Sequence, residues 1–342
     1  MGRFSASLEN FKKNLRELAS EGIDTHGLLV VFKKELADHF SSNRFTILFA
    51  LIAMVSLISA YMTGISLREE LEGIAKPKFV FLMLFTSRGA WFSLDWFVAF
   101  LFPLIGIVLG FDSINREKST GTMSKLASQP IFRDSIINGK FLAGITTIAI
   151  MLVSIVLVIS GLGLRVLGVV PGVEEVWRII VYLVISIIYI SFWLGISMLS
   201  SIVFRSIATS ALASIAVWVF FFFFTLLGPV TMANAFAPIN QPGTDADTVI
   251  RHTRIQEGVK LSSPMGLYSD ATATVIDPMR KTTKSVLMGR VERLLSERFQ
   301  NPLPLSQSIL VVWPYIVSLI AITLICFGCC YAVFMRQEIR PV

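Results

Sequence analysis

The fold of this chain is decided by long apolar stretches, of which Phe141–Leu164 is the clearest and reads FLAGITTIAIMLVSIVLVISGLGL. This run contains no Asp, Glu, Lys or Arg, and the stretches Phe45–Leu67 and Ile179–Phe204 are equally free of charge. About 20 apolar residues are enough for a helix to cross the hydrocarbon core of a bilayer. Each of the three stretches is therefore long enough to span a membrane.

The overall composition agrees with a membrane protein. Of the 342 residues, 54% are hydrophobic and only 15% are charged, whereas about 25% of the residues of a soluble domain are charged. This composition excludes a disordered chain and disfavours an ordinary soluble enzyme. We expect an all-α integral membrane protein with six transmembrane helices, at about 44–65, 94–112, 140–163, 178–203, 207–228 and 308–334.

The distribution of Lys and Arg predicts the orientation of these helices. With the amino terminus in the cytosol, the short inner segments contain 15 Lys and Arg residues and the short outer loops contain six. Because the short loops on the cytosolic side carry the excess of Lys and Arg, both termini are expected to be cytosolic. The net charge of +7 then reflects topology, and no nucleic-acid partner is expected.

The segment before the first span has the pattern of amphipathic helices. One is predicted from Phe4 to Leu18 and a second over residues 28–43, where it would lie in the membrane interface with its apolar face toward lipid. The apolar face of the second helix comprises Leu28, Val31, Phe32, Leu36 and Phe40, and its polar face comprises Lys33, Lys34, Glu35 and Asp38.

The spans divide the chain into four parts. These are a cytosolic amino-terminal part (1–43), spans one to five with a cytosolic loop at 112–140 (44–228), an extracytoplasmic loop domain (229–307), and the last span with a cytosolic tail (308–342). The loop domain is predicted to be a small folded cap with an amphipathic helix at about 283–299. In the first outer loop, Phe79–Phe85 is too short to span and is expected to be a strand or a buried cap segment.

Several kinds of chemistry are missing. The chain has neither a His-Glu-x-x-His motif nor a phosphate-binding loop of the Gly-x-x-x-x-Gly-Lys type, and no catalytic residues are expected. No charged residue lies in the middle of a predicted span, as an ion-coupled transporter would need. Energy for uphill transport would therefore have to come from a partner. Cys326, Cys329 and Cys330 could bind a soft metal, but we favour helix packing and expect no metal site.

The most informative segment is the cytosolic loop between spans two and three. It reads DSINREKSTGT from Asp112 to Thr122 and continues to Lys140. Ser119 or Thr120 can begin a short helix, which Pro130 would end. A rigid, charged element attached at both ends to membrane helices can act as a lever on those helices.

This loop resembles the signature of ABC-2 type ABC transporter permeases. That signature consists of Glu, three residues, Gly-Thr, and then Leu, Pro, Arg and Gly-Lys. The residues that match it in order are Glu117, Gly121, Thr122, Leu126, Pro130, Arg133, Gly139 and Lys140. The helix with Lys34, Glu35 and Leu36 resembles the family's connecting helix. The stretch from Ser263 to Pro278 is similar to the branch that includes the permease of nitrous-oxide-reductase maturation.

The resemblance implies a transmembrane subunit of an ABC exporter in a prokaryotic plasma membrane. Such a subunit would pair with a second copy in a homodimer, or with a paralogous permease, and dock on a cytosolic ABC ATPase. ATP and Mg would be bound by that ATPase, and no cofactor by this chain. The residues implied in coupling are Glu117, Ser119, Gly121, Thr122, Leu126, Pro130, Arg133 and Lys140 in the loop, and Lys34, Glu35 and Leu36 in the connecting helix.

Two alternatives use the same features. The chain could be an ATP-driven mechanotransmitter that acts on an extracytoplasmic partner through the long outer loop, or a membrane scaffold that recruits a cytosolic protein without transport. Substrate-stimulated flux in vesicles would exclude the mechanotransmitter, and the absence of a co-purifying ATPase would favour the scaffold.

Overall fold

The computed structural model of the protein describes residues 25–72, 79–85, 94–122, 131–239, 245–278 and 302–337. The helices predicted from Phe4 to Leu18 and over 283–299 lie outside these residues. Within them the chain is almost entirely helical and contains no strand. In chain order the helices are α1 (Thr25–Phe40), α2 (Asn43–Glu70), α3 (Val80–Met83), α4 (Leu94–Gly110), α5 (Asn115–Ser119), α6 (Arg133–Leu167), α7 (Val173–Val203), α8 (Ile207–Phe236), α9 (Ala246–Leu261), α10 (Pro264–Ile276) and α11 (Leu305–Arg336).

Six helices in the described part of the chain are long and apolar enough to cross a bilayer. They are α2, α4, α6, α7, α8 and α11. The second of these spans extends over Phe97–Ser119 and so continues from α4 through α5. The longest, α6, has 35 residues, or about 52 Å at a rise of 1.5 Å per residue. The hydrocarbon core is about 30 Å thick. The predicted all-α fold with six spans is confirmed.

The centre of the bundle is α7, which packs against α4, α6, α8, α10 and α11. The backbones of α4 and α7 approach closely at Gly106 and Gly110. A Cβ added there would lie 2.8 Å from the carbonyl oxygen of Ile190 and 2.8 Å from Cβ of Ser197, respectively. The Ser197 hydroxyl donates a hydrogen bond of 2.8 Å to the carbonyl oxygen of Ile107. Small residues allow such close helix contact inside a membrane.

At one end of the bundle, α1 crosses the first turns of α6. A Cβ at Gly139 would lie 2.9 Å from Cγ1 of Val31 and 3.3 Å from the carbonyl oxygen of Leu28. Val31 is 2% exposed, whereas Leu29 and Val30 are half exposed. The expectation that the whole apolar face of this helix turns toward lipid was therefore wrong, because Gly139 lets that face dock on α6. We call this end of the bundle, formed by α1, α5 and the start of α6, the loop end.

At the opposite end, α9 and α10 form a helical hairpin. α9 runs back along α8, and α10 returns between α7, α11 and α4. The ring of Tyr268 on α10 stacks on Tyr189 of α7 at a centroid distance of 4.4 Å, and its hydroxyl is 2.9 Å from the hydroxyl of Ser186. The Lys260 ammonium is 2.6 Å from the Asp270 carboxylate and links the two arms. We call this end the hairpin end.

The fifth span extends further than its predicted end near Gly228 and Pro229. α8 passes through Pro229 and continues to Phe236. A proline inside a membrane helix removes a single backbone hydrogen bond, and the apolar residues that follow let the helix go on.

The segment at 79–85 was expected to be either a strand or a buried segment. It is buried, but it contains a short helix, and the expectation of a strand was wrong. Val80–Met83 form the short helix α3, whose Val80, Phe81 and Leu82 are buried. The Phe81 amide donates a hydrogen bond of 3.1 Å to the Glu175 carboxylate at the start of α7. A helical turn satisfies part of its own backbone, whereas an isolated strand would leave buried amide and carbonyl groups unpaired.

The crossing of α1 and α6 predicts that Gly139→Ala destabilises the protein. The new methyl group collides with Val31 and with backbone, and overpacking of this kind costs about 1–3 kcal/mol. The matched control on the same helix is Gly161→Ala, where nothing lies within 4 Å of the added Cβ. Thermal unfolding in detergent should give a lower Tm for Gly139→Ala alone, and adding Val31→Ala should recover part of the loss. Equal Tm values for both glycine variants would contradict this packing.

Candidate functional site

A buried ion cluster joins three elements at the loop end. The Lys140 ammonium on α6 lies 2.8 Å from Oε1 of Glu35 on α1 and 2.9 Å from Oε1 of Glu117 on α5. Lys34 of α1 contacts the same two oxygens at 2.9 and 3.2 Å. Lys140 is 4% exposed, and the two glutamates are also buried. We call Lys34, Glu35, Glu117 and Lys140 the ion cluster.

The charges of the ion cluster stabilise one another. Burial would raise the pKa of the Glu35 carboxyl, but the charge and hydrogen bonds of Lys140 and Lys34 outweigh burial, and this pKa falls below its ordinary value. Burial likewise lowers the pKa of the Lys34 ammonium, but Glu35 and Glu117 reverse the effect, and the net pKa is raised. Two cations thus face two anions. Removing one member leaves a buried charge without compensation.

The structure corrects the predicted position of Glu35. The sequence pattern placed this residue on the polar, exposed face of its helix, but its side chain points inward and the residue is 7% exposed. The reason is Lys140, which is distant in sequence and supplies the countercharge that a buried carboxylate requires. Of the other two predicted residues of the connecting helix, Lys34 belongs to the ion cluster and Leu36 is half-buried.

The loop helix α5 is fixed to the end of α7. The backbone amides of Ile114 and Asn115 donate hydrogen bonds of 3.0 and 3.1 Å to the hydroxyl oxygen of Ser201. The side-chain amide of Asn115 donates to the carbonyl oxygen of Ser206 at 3.4 Å. Sequence reasoning missed Asn115 and Ser201, because no local pattern signals a contact between a loop and a distant serine.

The loop begins with the short helix α5, which starts at Asn115 and ends before Gly121. The helix predicted from Ser119 or Thr120 to Pro130 lies largely outside the described residues. Gly121 has a φ of 69°, the left-handed conformation with which glycine commonly terminates a helix. The Thr122 hydroxyl donates back to the carbonyl oxygen of Glu117 at 3.4 Å. Leu126 and Pro130 lie outside the described residues.

Most of the loop residues implied in coupling that the structure describes separate into two sets. Glu117 and Lys140 are buried in the ion cluster, whereas Ser119, Gly121 and Thr122 are exposed. Arg133 at the start of α6 belongs to neither set, and its guanidinium donates a hydrogen bond of 3.1 Å to the carbonyl oxygen of Gln337 after α11. One side of the loop is thus bound to the bundle and the other is open to a partner.

A cavity of about 740 Å³ opens beside the ion cluster, between α1, the start of α2, the end of α4 and α5. Its wall includes Arg44 and Asp112, which form an ion pair of 3.1 Å between α2 and the turn after α4. His39 also lines it, and burial lowers the pKa of its imidazole. The wall carries both signs of charge, so it has no preference for an anion or a cation.

Among the described residues, no three His, Cys, Asp or Glu side chains form a group that could hold a metal ion. Cys326 and Cys330 are buried and Cys329 is exposed. The Cys330 thiol donates to the carbonyl oxygen of Gly195 at 3.1 Å, and the thiol of Cys326 lies beside the same glycine. These contacts fit the expected packing role.

The sequence model of a family described as ABC-2 family transporter protein matches residues 29–339. The matched region includes most of α1, the loop with α5, all the spans described above and the hairpin. No curated protein matches the chain significantly.

The ion cluster predicts a large loss of stability for Lys140→Met. The variant leaves two buried carboxylates with the half-exposed Lys34 alone, and removing one partner of a buried ion pair costs about 3–5 kcal/mol. Lys33→Met changes an exposed lysine of α1 and should shift stability by less than about 0.5 kcal/mol. Chemical or thermal unfolding in detergent measures both effects. Adding Glu35→Gln and Glu117→Gln to Lys140→Met should restore part of the loss, and equal effects at Lys33 and Lys140 would refute the cluster.

Proposed function

The chain belongs to the ABC-2 family of transporter proteins, and from this we propose that it is the permease subunit of an ABC exporter, driven by a separate cytosolic ATPase. Membership in the family makes it a multi-pass membrane component of an ABC transport system. The coupling to ATP hydrolysis and the export of a substrate are the proposal.

The ion cluster is the observation that carries the proposal. An element that transmits force must be attached rigidly to what it moves, and α5 is held to α1 and α6 through Lys140 and to α7 through Ser201. A displacement of α5 thus acts on three helices together. Packed helices with two discrete arrangements can pass such a displacement across a membrane.

We assign different roles to the exposed and the buried residues of the loop. Within residues 116–122, the exposed residues are the contact surface for the ATPase, and they are Arg116, Ser119, Thr120, Gly121 and Thr122. The buried residues Glu117 and Lys140 are positioning residues that pass the movement to α1 and α6. Arg133 and Lys34 support these contacts from α6 and α1.

The proposed orientation puts the loop end in the cytosol, together with both termini. The excess of Lys and Arg in the segments of this end favours that orientation. The hairpin end then faces the outside of a prokaryotic plasma membrane. A second copy of the chain, or a paralogous permease, would complete the transport path.

A second candidate function is that of a mechanotransmitter with the same ATPase. The packing of α10 against α7 and α11 favours it, because movements of these spans would reach the hairpin directly. If vesicles that contain the complex show ATP-dependent flux of a substrate, the protein is an exporter. ATP hydrolysis without flux of any tested substrate would favour the mechanotransmitter. The scaffold alternative predicts that no ATPase is bound.

The assignment of the loop surface predicts that Thr120→Arg weakens binding of the ATPase. Thr120 is exposed beside Gly121, and a bulky charge there would disturb a packed interface at a cost of about 1–3 kcal/mol, or about fivefold or more in affinity. Ser306→Arg is the control at the hairpin end, where Ser306 is also exposed. Purification through a tag on the chain measures the bound ATP-binding subunit, and unfolding checks that both variants are folded. Equal recovery of the ATPase with both variants would refute the assignment.

A further inference from the structure

Gln337, the residue that follows α11, is bound from three sides at the loop end. Its side-chain amide donates a hydrogen bond of 2.8 Å to the carbonyl oxygen of Ile202 at the end of α7. Its side-chain oxygen accepts from the Lys118 ammonium on α5. Its backbone oxygen accepts from the Arg133 guanidinium of α6 at 3.1 Å. One glutamine thus connects the loop helix and the starts or ends of three spans.

We infer that Gln337 links the loop to α11, and that α11 carries the movement of the loop to the hairpin at the opposite end. This inference rests on the proposed function, because it assumes that an ATPase moves the loop. Gln337 is a positioning residue in this scheme, since it acts through Lys118 and α11 and does not contact a substrate.

The chemistry of the side chain explains why a glutamine suits this position. A primary amide offers donors on nitrogen and an acceptor on oxygen, and Gln337 uses both at once. The Lys118 ammonium is partly buried, and the Gln337 oxygen gives it an acceptor there. Glutamate could accept from Lys118 but could not donate to Ile202, and leucine could do neither.

The other end of α11 is fixed to the hairpin through Arg178. This guanidinium is fully buried and donates a hydrogen bond of 2.7 Å to the carbonyl oxygen of Val275 on α10. It also donates to the hydroxyl of Ser308 in α11 at 3.3 Å and to the carbonyl oxygen of Leu303, just before α11. A movement of α11 is therefore transmitted to α10.

α11 is long enough to transmit a movement from the loop end to the hairpin end, and it packs against the neighbouring helices along its length. Its 32 residues extend over about 48 Å at 1.5 Å per residue, from Leu305, close to the Arg178 contact at Ser308, to Arg336, which directly precedes Gln337. α11 packs along α7 and α10 and has few contacts with α6. The hydrogen bonds of Gln337 with Lys118 and Arg133 are thus a direct connection between the loop and α11.

The test measures whether the hairpin responds to the ATPase through Gln337. The reporter is Arg254→Cys at an exposed position of α9, in a chain with Cys326, Cys329 and Cys330 replaced by serine. The rate of labelling by a membrane-impermeant maleimide is compared between the nucleotide-free complex and the complex trapped with ADP and vanadate. We expect a nucleotide-dependent change in this rate with Gln337 intact.

Gln337→Leu should reduce this nucleotide-dependent change by about fivefold or more, while the ATPase stays bound and hydrolyses ATP. Gln307→Leu is the matched control, because Gln307 is an exposed glutamine at the other end of α11, and it should leave the change intact. If Gln337→Leu does not fold, Lys118→Met removes only the contact with the loop and should have the same effect.

The outcomes separate the two proposals. If the nucleotide-dependent change in the labelling rate is undiminished in Gln337→Leu or Lys118→Met, the role of Gln337 is overturned. A bound, active ATPase with no hairpin response in the parent chain overturns the transmission through α11 but leaves the proposed function standing. Absence of any ATPase from the purified chain contradicts the proposed function, and the inference fails with it.

Discussion

The ammonium of Lys140, buried between two carboxylates at the loop end, is the constraint on which the rest of the structure depends. A lysine at the start of a long apolar helix can reach water or be paired inside the protein, and burial without a countercharge would be very costly. Lys140 is paired with Glu35 and Glu117. This pairing requires α1 and α5 to lie against α6. The side chain of Gly139, a single hydrogen, leaves room for α1 at that point.

The loop is consequently part of the bundle and not a free connection between two spans. Its inner side is bound to α1, α6, α7 and the end of α11 through Glu117, the amide of Asn115 and Lys118. Within residues 116–122, its outer side exposes Arg116, three short polar residues and one glycine. An element with this construction can accept a partner on one side and move several helices on the other, which is the physical basis of the proposed role in ATP-driven transport.

The sequence alone was sufficient to predict the fold class and the six spans, because uncharged runs such as Phe141–Leu164 leave a chain few alternatives in a membrane. It also identified Glu117 and Lys140 as important through a family resemblance. It did not predict that they contact each other and Glu35, because helical periodicity assigns a glutamate to the exposed face and contains no information about a lysine 105 residues away. Gln337 was missed for the same reason. The extension of α8 through Pro229 follows from the apolar residues after the proline. The helical turn at Val80–Met83 was decided by packing against neighbouring elements, which local preference does not describe.

The central claim is that the exposed side of the loop binds a cytosolic ATPase. Crosslinking from single positions tests it most directly, with a photoreactive amino acid at Ser119 on the loop or at Ser306 at the opposite end, in cells that contain the native partner. The account predicts that the chain with the probe at Ser119 is captured together with an ATP-binding subunit, and that the chain with the probe at Ser306 is not. Capture of that subunit from Ser306 and not from Ser119, or from neither position when the chain is folded, would contradict it.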